Sequence, residues 1–361
     1  MFLRILISAA LAYLIVHVTV PYLRRLALNL NWLDEANSER KVHTDSVPLV
    51  GGPAMAVGIV LVVLLNLFAG SAVSVVTAAV LVGAGVLLIT GIIDDKLDLP
   101  PLVKLAVQAC CAYFLCIQGY FFDDVFALVG LDSLPRVARV IISFLFVIGV
   151  VNAYNLIDGI DGLAGSLFLA GFAWIGGAAL FLGHYDVALL SALALSASAA
   201  FLRYNTSVSE KIFMGDGGSL FLGYLLAGLT IVLLERSAGD ARASLWLIGT
   251  CAVLALPVLD ELRVFAERMA AGKSPLYADR THIHHILLQI DPAHRSVRNW
   301  ILRIVFVVFL LATAASVLFG VWGGAVMILL GIAALFAILS MQRAMHQRRE
   351  ELRLLERRKA R

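Results

Sequence analysis

Charge is scarce in this chain. Asp, Glu, Lys and Arg make up 15% of its 361 residues, against 61% hydrophobic residues and a mean hydropathy of +0.93. So little charge excludes a soluble globular protein. The short alternating apolar segments of a membrane β-barrel are missing too. Cysteine is rare, and Cys110, Cys111, Cys116 and Cys251 all lie inside apolar runs. They read as small core residues, not as a disulfide framework or a metal site. The first apolar run, Phe2–Leu23, lacks a basic leader and a small-residue cleavage site, which argues for a retained helix over a signal peptide. No soluble domain and no internal repeat stand out. The one long polar loop runs from Arg263 to Trp300.

What the chain has in abundance is apolar runs near the roughly 20 residues that a spanning helix needs. Eleven spans are expected: Phe2–Leu23, Leu49–Phe68, Val73–Ile93, Leu102–Ile117, Val137–Tyr154, Leu163–Leu182, Val187–Leu202, Gly217–Leu234, Ala243–Val264, Ile301–Phe319 and Val321–Met341. The expected fold class is therefore an all-α polytopic membrane protein. With the N-terminus outside, five of the 28 Lys and Arg face out (Arg4, Arg136, Arg139, Arg236 and Arg242) and 23 face in. The positive-inside rule selects that orientation, a periplasmic N-terminus, and the odd span count returns the C-terminus to the cytoplasm. One transmembrane unit is expected over residues 1–341. Residues 342–361 form a basic cytoplasmic tail, either laid on the anionic inner leaflet or simply solvated.

The few polar groups are clustered. Eleven carboxylates, amides and imidazoles sit at or beyond the ends of apolar runs, all on the side assigned to the cytoplasm. Ionisable groups at the edge of a bilayer are costly and usually functional. Asp94, Asp95 and Asp98 come first; on a helix Asp94 and Asp98 share a face with Asp95 beside it. Three such carboxylates repel unless a cation or protons compensate, and magnesium suits them because it takes oxygen ligands and phosphate together. A solvated helix cap would look similar. So would the DDxxD of soluble prenyl-diphosphate synthases, but the second copy those enzymes carry is absent. Asn155, Asp158 and Asp161 follow, in a run where Gly159 and Gly162 let backbone approach a ligand. Asx-turns explain one such residue more easily than three.

Asp216 opens the eighth span within Met214-Gly215-Asp216-Gly217-Gly218-Ser219. A glycine-rich helix start offers amides and dipole to phosphate, and Asp216 there calls for a bridging cation. Phe213 either stacks on a base or anchors in lipid. Lys104, deep at the start of the fourth span, needs an anion beside it. His282, His284 and His285 follow Ala278-Asp279-Arg280 in the polar loop, downstream of Asp260. Their spacing lacks the HExxH of helical zinc sites. Imidazoles donating to phosphate fit; so do pH-tuned surface histidines. Lys41 and His43 add phosphate donors in the first inner loop, where Lys and Arg are expected in any case.

Together, and in this order from Arg40 to His285, these motifs resemble the polyprenyl-phosphate N-acetylhexosamine-1-phosphate transferases of glycosyltransferase family 4. The likeness is to the bacterial branch that starts surface polysaccharides on undecaprenyl phosphate. The His-Ile-His-His run, with its Gly-Lys-Ser-Pro lead-in and the flanking Asp260 and Arg263, favours that branch over phospho-MurNAc-pentapeptide transferase. The resemblance implies transfer of a sugar-1-phosphate, GlcNAc-1-phosphate above all, from a UDP-N-acetylhexosamine to undecaprenyl phosphate, with release of UMP. It implies Asp94 and Asp95 as catalytic residues, and Asp216 with Asp95 as ligands of magnesium, or manganese in its place. The implied substrate-binding residues are Lys41, His43, Lys104, Asn155, Asp158, Asp161, Phe213, Arg280, His282, His284 and His285. Implied partners are the two substrates and membrane lipid, with a homodimer left open and no nucleic acid. The implied location is the bacterial inner membrane, with the site on the cytoplasmic face. One-step transfer and a covalent aspartyl intermediate both stay open. A lipid or solute transporter is the rival class, but transporter sites lie near the midplane.

Overall fold

One helix, α8 (Gly215–Ser237), has no polar face: its apolar residues run all the way round, and its spanning stretch is wholly buried. Such a helix belongs at the centre of a bundle. The computed structural model describes residues 1–34, 46–70, 74–275 and 281–359. Around α8 stand α1 (Phe2–Asn29), α2 (Gly51–Phe68), α3 (Val75–Leu97), α4 (Pro101–Ile117), α5 (Arg136–Leu156), α6 (Leu163–Phe181), α7 (Tyr185–Asn205) and α9 (Ala243–Ala270). A short α10 (Ile283–Ile290) and a long α11 (His294–Lys359) complete the chain.

Helix α3 packs on α8 more extensively than any other pair, and α5 lies along α8 as well. Small residues make the closest approach possible. A Cβ on Gly91 would lie 2.3 Å from the Gly217 nitrogen, and one on Gly52 would lie 2.4 Å from the Gly218 nitrogen. Glycine lets helix backbones meet where lipid supplies no hydrophobic drive. In α1, Pro21 cannot donate to the His17 carbonyl. The Tyr204 hydroxyl donates to it instead, at 2.9 Å, and ties α7 to α1.

Among the described residues, nine helices are long and apolar enough to cross a membrane. The all-α polytopic membrane class therefore holds. Two differences from the expected spans have physical causes. Helix α4 has 17 residues, about 25 Å at 1.5 Å per residue, a little short of the hydrocarbon core. The last two expected spans form one long element: α11 runs through both and leaves helical geometry only at Gly320, with φ 70° and ψ −166°. The expected polar loop is also mostly helical. Arg263 pairs with Asp260 at 2.7 Å and with Glu267 at 2.6 Å. These i,i+3 and i,i+4 pairs support α9 past Val264 to Ala270.

The only strands among the described residues are β1 (Leu33–Asp34) and β2 (Val47–Pro48), antiparallel, with Leu33 opposite Pro48 and Asp34 opposite Val47. Just beyond β2 the chain grips the entry to α8. The Phe213 amide donates to the Pro48 carbonyl, and the Gly51 and Gly52 amides donate to the Phe213 and Met214 carbonyls, all near 3 Å. This clamp fixes where α8 begins.

Candidate active site

The end of α3, the start of α4, the end of α5 and the start of α8 meet at one end of the bundle. Asp94 is buried on α3. Its Oδ2 accepts from Lys104 Nζ at 2.7 Å and its Oδ1 from the Leu99 amide at 2.8 Å. The same ammonium reaches Asp216 Oδ2 at 3.3 Å. Asn155 at the end of α5 donates its Nδ2 to Asp216 Oδ1 at 3.0 Å and to Ser219 Oγ at 2.9 Å. Lys104 thus finds its anion, and finds two.

Three expectations are corrected here. The amides at the start of α8 do not face a phosphate: those of Asp216 and Gly217 donate to the Asp95 carboxylate at 2.8 and 3.4 Å. Asp95 caps α8, which satisfies orphan amides and suits the helix dipole. Asp98 does not join Asp94. The helix ends at Leu97, and Asp98 is its exposed left-handed cap, with φ 49°. The histidines do not project from a polar loop. His282 and His284 are buried, at 5% and 1% exposure, because α10 folds them back onto the bundle.

The Asn155–Gly162 segment leaves α5 and enters α6 through a tight turn. The Gly162 amide donates to Asn205 Oδ1 at 2.6 Å, and Asn205 Nδ2 donates to the Ile212 carbonyl at 2.9 Å. One buried amide therefore ties this turn to the approach to α8. Asp161 accepts from Lys211 Nζ at 2.7 Å and lies 3.3 Å from His294 Nδ1. Burial alone would raise Asp161, but its hydrogen bonds with His294 and Lys211 hold it below the usual carboxylate range. Asp158 has no such partner among the described residues: burial, then the charges of Asp216 and Asp161, push it up to about 7.

His282 Nδ1 lies 3.0 Å from Asp260 Oδ2, and Asp260 also accepts from the Ile283 amide and Arg263. Asp260 is thus the anchor of the histidine run. His284 packs directly against the turn, since a Cβ on Gly159 would meet its Nε2 at 2.1 Å. Among the described residues, both ring nitrogens of His284, and Nε2 of His282, are buried without a hydrogen-bond partner. Burial, with the charges of His285 and His282, holds His284 well below the usual imidazole range. It is a neutral group with unmet hydrogen-bonding capacity, placed over the Asp158 turn. The His285 ring centroid lies 4.1 Å from that of His284. Phe213 is half-buried beneath the Lys211 ammonium, 5.2 Å from the ring centroid, so its face is directed to the site's charged rim. Lys41, His43 and Arg280 lie outside the described residues.

An apolar cavity of about 510 Å³ opens between α5, α8, α9 and α11. Phe146, Leu234, Ile248, Trp322 and Leu259 line it, and Leu259 adjoins Asp260. Sequence reading missed Lys211, His294 and Asn205. The only signal for them was polarity inside or beside apolar runs.

The charges fit a divalent cation. Asp94 and Asp216 share one ammonium, that of Lys104, and Asp95 and Asp158 add their charges beside Asp216. Of the two carboxylates on Lys104, Asp216 is the one open to a ligand, its side chain 33% exposed against 5% for Asp94. Among the described residues no three His, Cys, Asp or Glu side chains form a ready cage. Magnesium binds through one or two carboxylates and completes its shell with water and phosphate, so Asp216 is the residue that could hold it.

The profile of glycosyl transferase family 4 matches residues 77–234, the stretch that carries Asp94 through Asp216. A Bacillus subtilis (strain 168) protein named probable undecaprenyl-phosphate N-acetylglucosaminyl 1-phosphate transferase is 32% identical over 325 residues, covering 88% of this chain and 85% of its own. The decaprenyl-phosphate N-acetylglucosaminephosphotransferase of Mycolicibacterium smegmatis is 33% identical over 326 residues, 83% of this chain and 79% of its own. The undecaprenyl-phosphate alpha-N-acetylglucosaminyl 1-phosphate transferase of Escherichia coli (strain K12) is 29% identical over 280 residues, 74% and 72% of the two chains.

Proposed function

Because this chain belongs to glycosyl transferase family 4, we propose that it transfers N-acetylglucosamine-1-phosphate from a UDP-sugar to a polyprenyl phosphate. UMP is the leaving group. An oxygen of the lipid phosphate attacks the sugar-bound phosphorus, and one pyrophosphate link replaces another. Little bond energy changes, so the protein's work is positioning and charge control. The observation that carries this reading is the Asp94–Lys104–Asp216 bridge at the mouth of the bundle. It offers a cation for phosphate, a carboxylate for a proton and a carboxylate for a metal, all within one cluster.

In this reading Lys104 holds the acceptor phosphate, and Asp94 beside it takes or orients that phosphate's proton. Asp216 would hold magnesium, and Asn155 fixes its rotamer. Magnesium, when bound there, would shield the charge of the donor diphosphate. Asp95 supports the site from behind by capping α8. The neutral His284 and the Asp158 turn face the sugar nucleotide, with His282 steadied by Asp260. Phe213 and Lys211 form an aromatic and cationic rim for the nucleotide. Lys41, His43, Arg280 and His285 add phosphate contacts. The polyprenyl tail lies in the apolar cavity that ends beside Asp260.

The finer assignments follow from the same chemistry. The acceptor is undecaprenyl phosphate, the lipid in the names of the Bacillus subtilis and Escherichia coli relatives, and the membrane is the bacterial inner membrane. The site faces the cytoplasm, where UDP-sugars are made and where 23 of the 28 Lys and Arg fall. Eleven crossings satisfy that orientation when α4 counts as one and α11 as two. The test is to incubate purified protein with undecaprenyl phosphate and a panel of UDP-sugars, and to score UMP release. Release with UDP-N-acetylglucosamine is expected. Release only with another hexosamine refutes the sugar, and release with none refutes the reaction.

A further inference from the structure

Two amides that take no part in that chemistry face each other inside the bundle. Asn152 Nδ2 on α5 donates to Gln108 Oε1 on α4 at 2.7 Å, and Gln108 Nε2 donates back to Asn152 Oδ1 at 3.4 Å. Gln108 is buried, at 3% exposure. Asn152 is held further by its bond to the Ile148 carbonyl at 3.0 Å.

Their place along the helices matters. Gln108 follows Lys104 by one turn on the same face of α4, and Asn152 precedes Asn155 by one turn on the same face of α5. Lys104 and Asn155 hold the two oxygens of Asp216, at 3.3 and 3.0 Å. The grip on Asp216 therefore comes from two helices, and it is correct only if those helices keep their register. The apolar faces of α4 and α5 do not set a register strongly, since lipid tails are as apolar as the facing helix. Helix α4 is also short. A slip of one residue would move Lys104 by about 1.5 Å along the axis and turn it by about 100°. Directional bonds forbid that slip. Among the described residues, the Gln108–Asn152 bonds are the side-chain hydrogen bonds between these two helices.

We propose that the Gln108–Asn152 pair positions the transfer machinery. It locks α4 against α5 so that Lys104 and Asn155 clasp the Asp216 carboxylate from both sides. The pair touches no substrate, and the inference rests on the reaction assigned above.

The test uses the full chain in lipid nanodiscs. In Gln108→Leu/Asn152→Leu both partners become apolar, so no orphan polar group is left and stability should hold. The expected result is a melting temperature near wild type and a KM for the UDP-sugar within about threefold. The expected kcat is lower by about tenfold or more, as a misplacement of about 1 Å can produce. Acylation of Lys104 by an amine-reactive probe, read by peptide mass spectrometry, should run several-fold faster than in wild type. The exchange variant Gln108→Asn/Asn152→Gln keeps the length and both bonds of the pair, and it should recover most of kcat. A double-leucine variant with wild-type kcat, or with unchanged Lys104 labelling, overturns the proposal. So does one that fails to fold, because the pair would then hold the bundle and not the site. Wild-type protein that releases no UMP counts against the reaction instead. The labelling comparison still reports on the pair in that case.

Discussion

Replacing Lys104 by methionine tests the site at its electrostatic centre. The ammonium lies 2.7 Å from Asp94 and 3.3 Å from Asp216. At an effective dielectric constant of 20, attractions over those distances are about 6 and about 5 kcal/mol. Desolvation of the ammonium and water at the part-exposed Asp216 offset much of that. Removing one partner of a buried pair typically costs about 3–5 kcal/mol. Asp94 and Asp216 are close enough to hydrogen-bond to each other, so the variant can relieve part of the repulsion by sharing a proton. If the lost interaction is made in the transition state, about 3–4 kcal/mol corresponds to a kcat lower by ~10²–10³. A second effect should run the other way. The ammonium competes with any cation for Asp216, so Lys104→Met should reach half-maximal magnesium occupancy at a lower concentration, read by thermal shift. UMP release in nanodiscs across a magnesium series measures the rate. A variant within threefold of wild-type kcat, with an unchanged magnesium midpoint, refutes the bridge as the catalytic centre.

Asp216→Asn keeps the acceptor for Lys104 but loses the charge, so activity should become insensitive to magnesium and fall by about 10² or more; normal turnover at low magnesium refutes the metal assignment. Asp158, pushed up to about 7 by burial and by Asp216 and Asp161, binds its proton more tightly folded than unfolded, where its pKa is about 3.9. Its contribution to stability is therefore complete at low pH and is lost as the pH rises through about 4 to 7. Asp158→Asn should flatten the melting temperature across that window in metal-free buffer and raise it at pH 8, and an unchanged profile refutes the reading. Gly159→Ala would put a methyl 2.1 Å from His284 Nε2, so the imidazole must shift. Turnover should fall by about tenfold or more at unchanged melting temperature, and full activity would show that His284 is not held against this turn for function.

The outline of this protein was legible because its physics is local. A run of apolar residues long enough for a bilayer must be a helix, whatever surrounds it, since its backbone has no other partner in lipid. The start of α8 was legible for the same reason, as was the need of Lys104 for an anion. What could not be read was which groups satisfy one another. Asp95 looked like a metal ligand beside Asp94, and the Asp216 amides looked like a phosphate cradle. Each has instead met the other, 121 positions apart. That pairing exists only because Gly91 lets α3 come within van der Waals reach of α8, a fact of packing that no window of sequence contains.

The histidine run shows the same limit from another side. Its composition suggested a solvated loop, and three imidazoles in a polar stretch give no hint of burial. Asp260 decides the outcome: it sits on α9, twenty-two residues before His282, and its carboxylate takes both that imidazole and the amide opening α10. Once His282 is anchored there, the turn of α10 carries His284 against Gly159 and away from water. An imidazole so placed has no charge to offer a phosphate, yet its unmet nitrogens require a polar partner. In the reaction proposed above, an amide or hydroxyl of the sugar would meet that requirement better than a second phosphate. The residue that looked most like a charge donor in sequence is thus, by its burial, better suited to a neutral contact than to a phosphate.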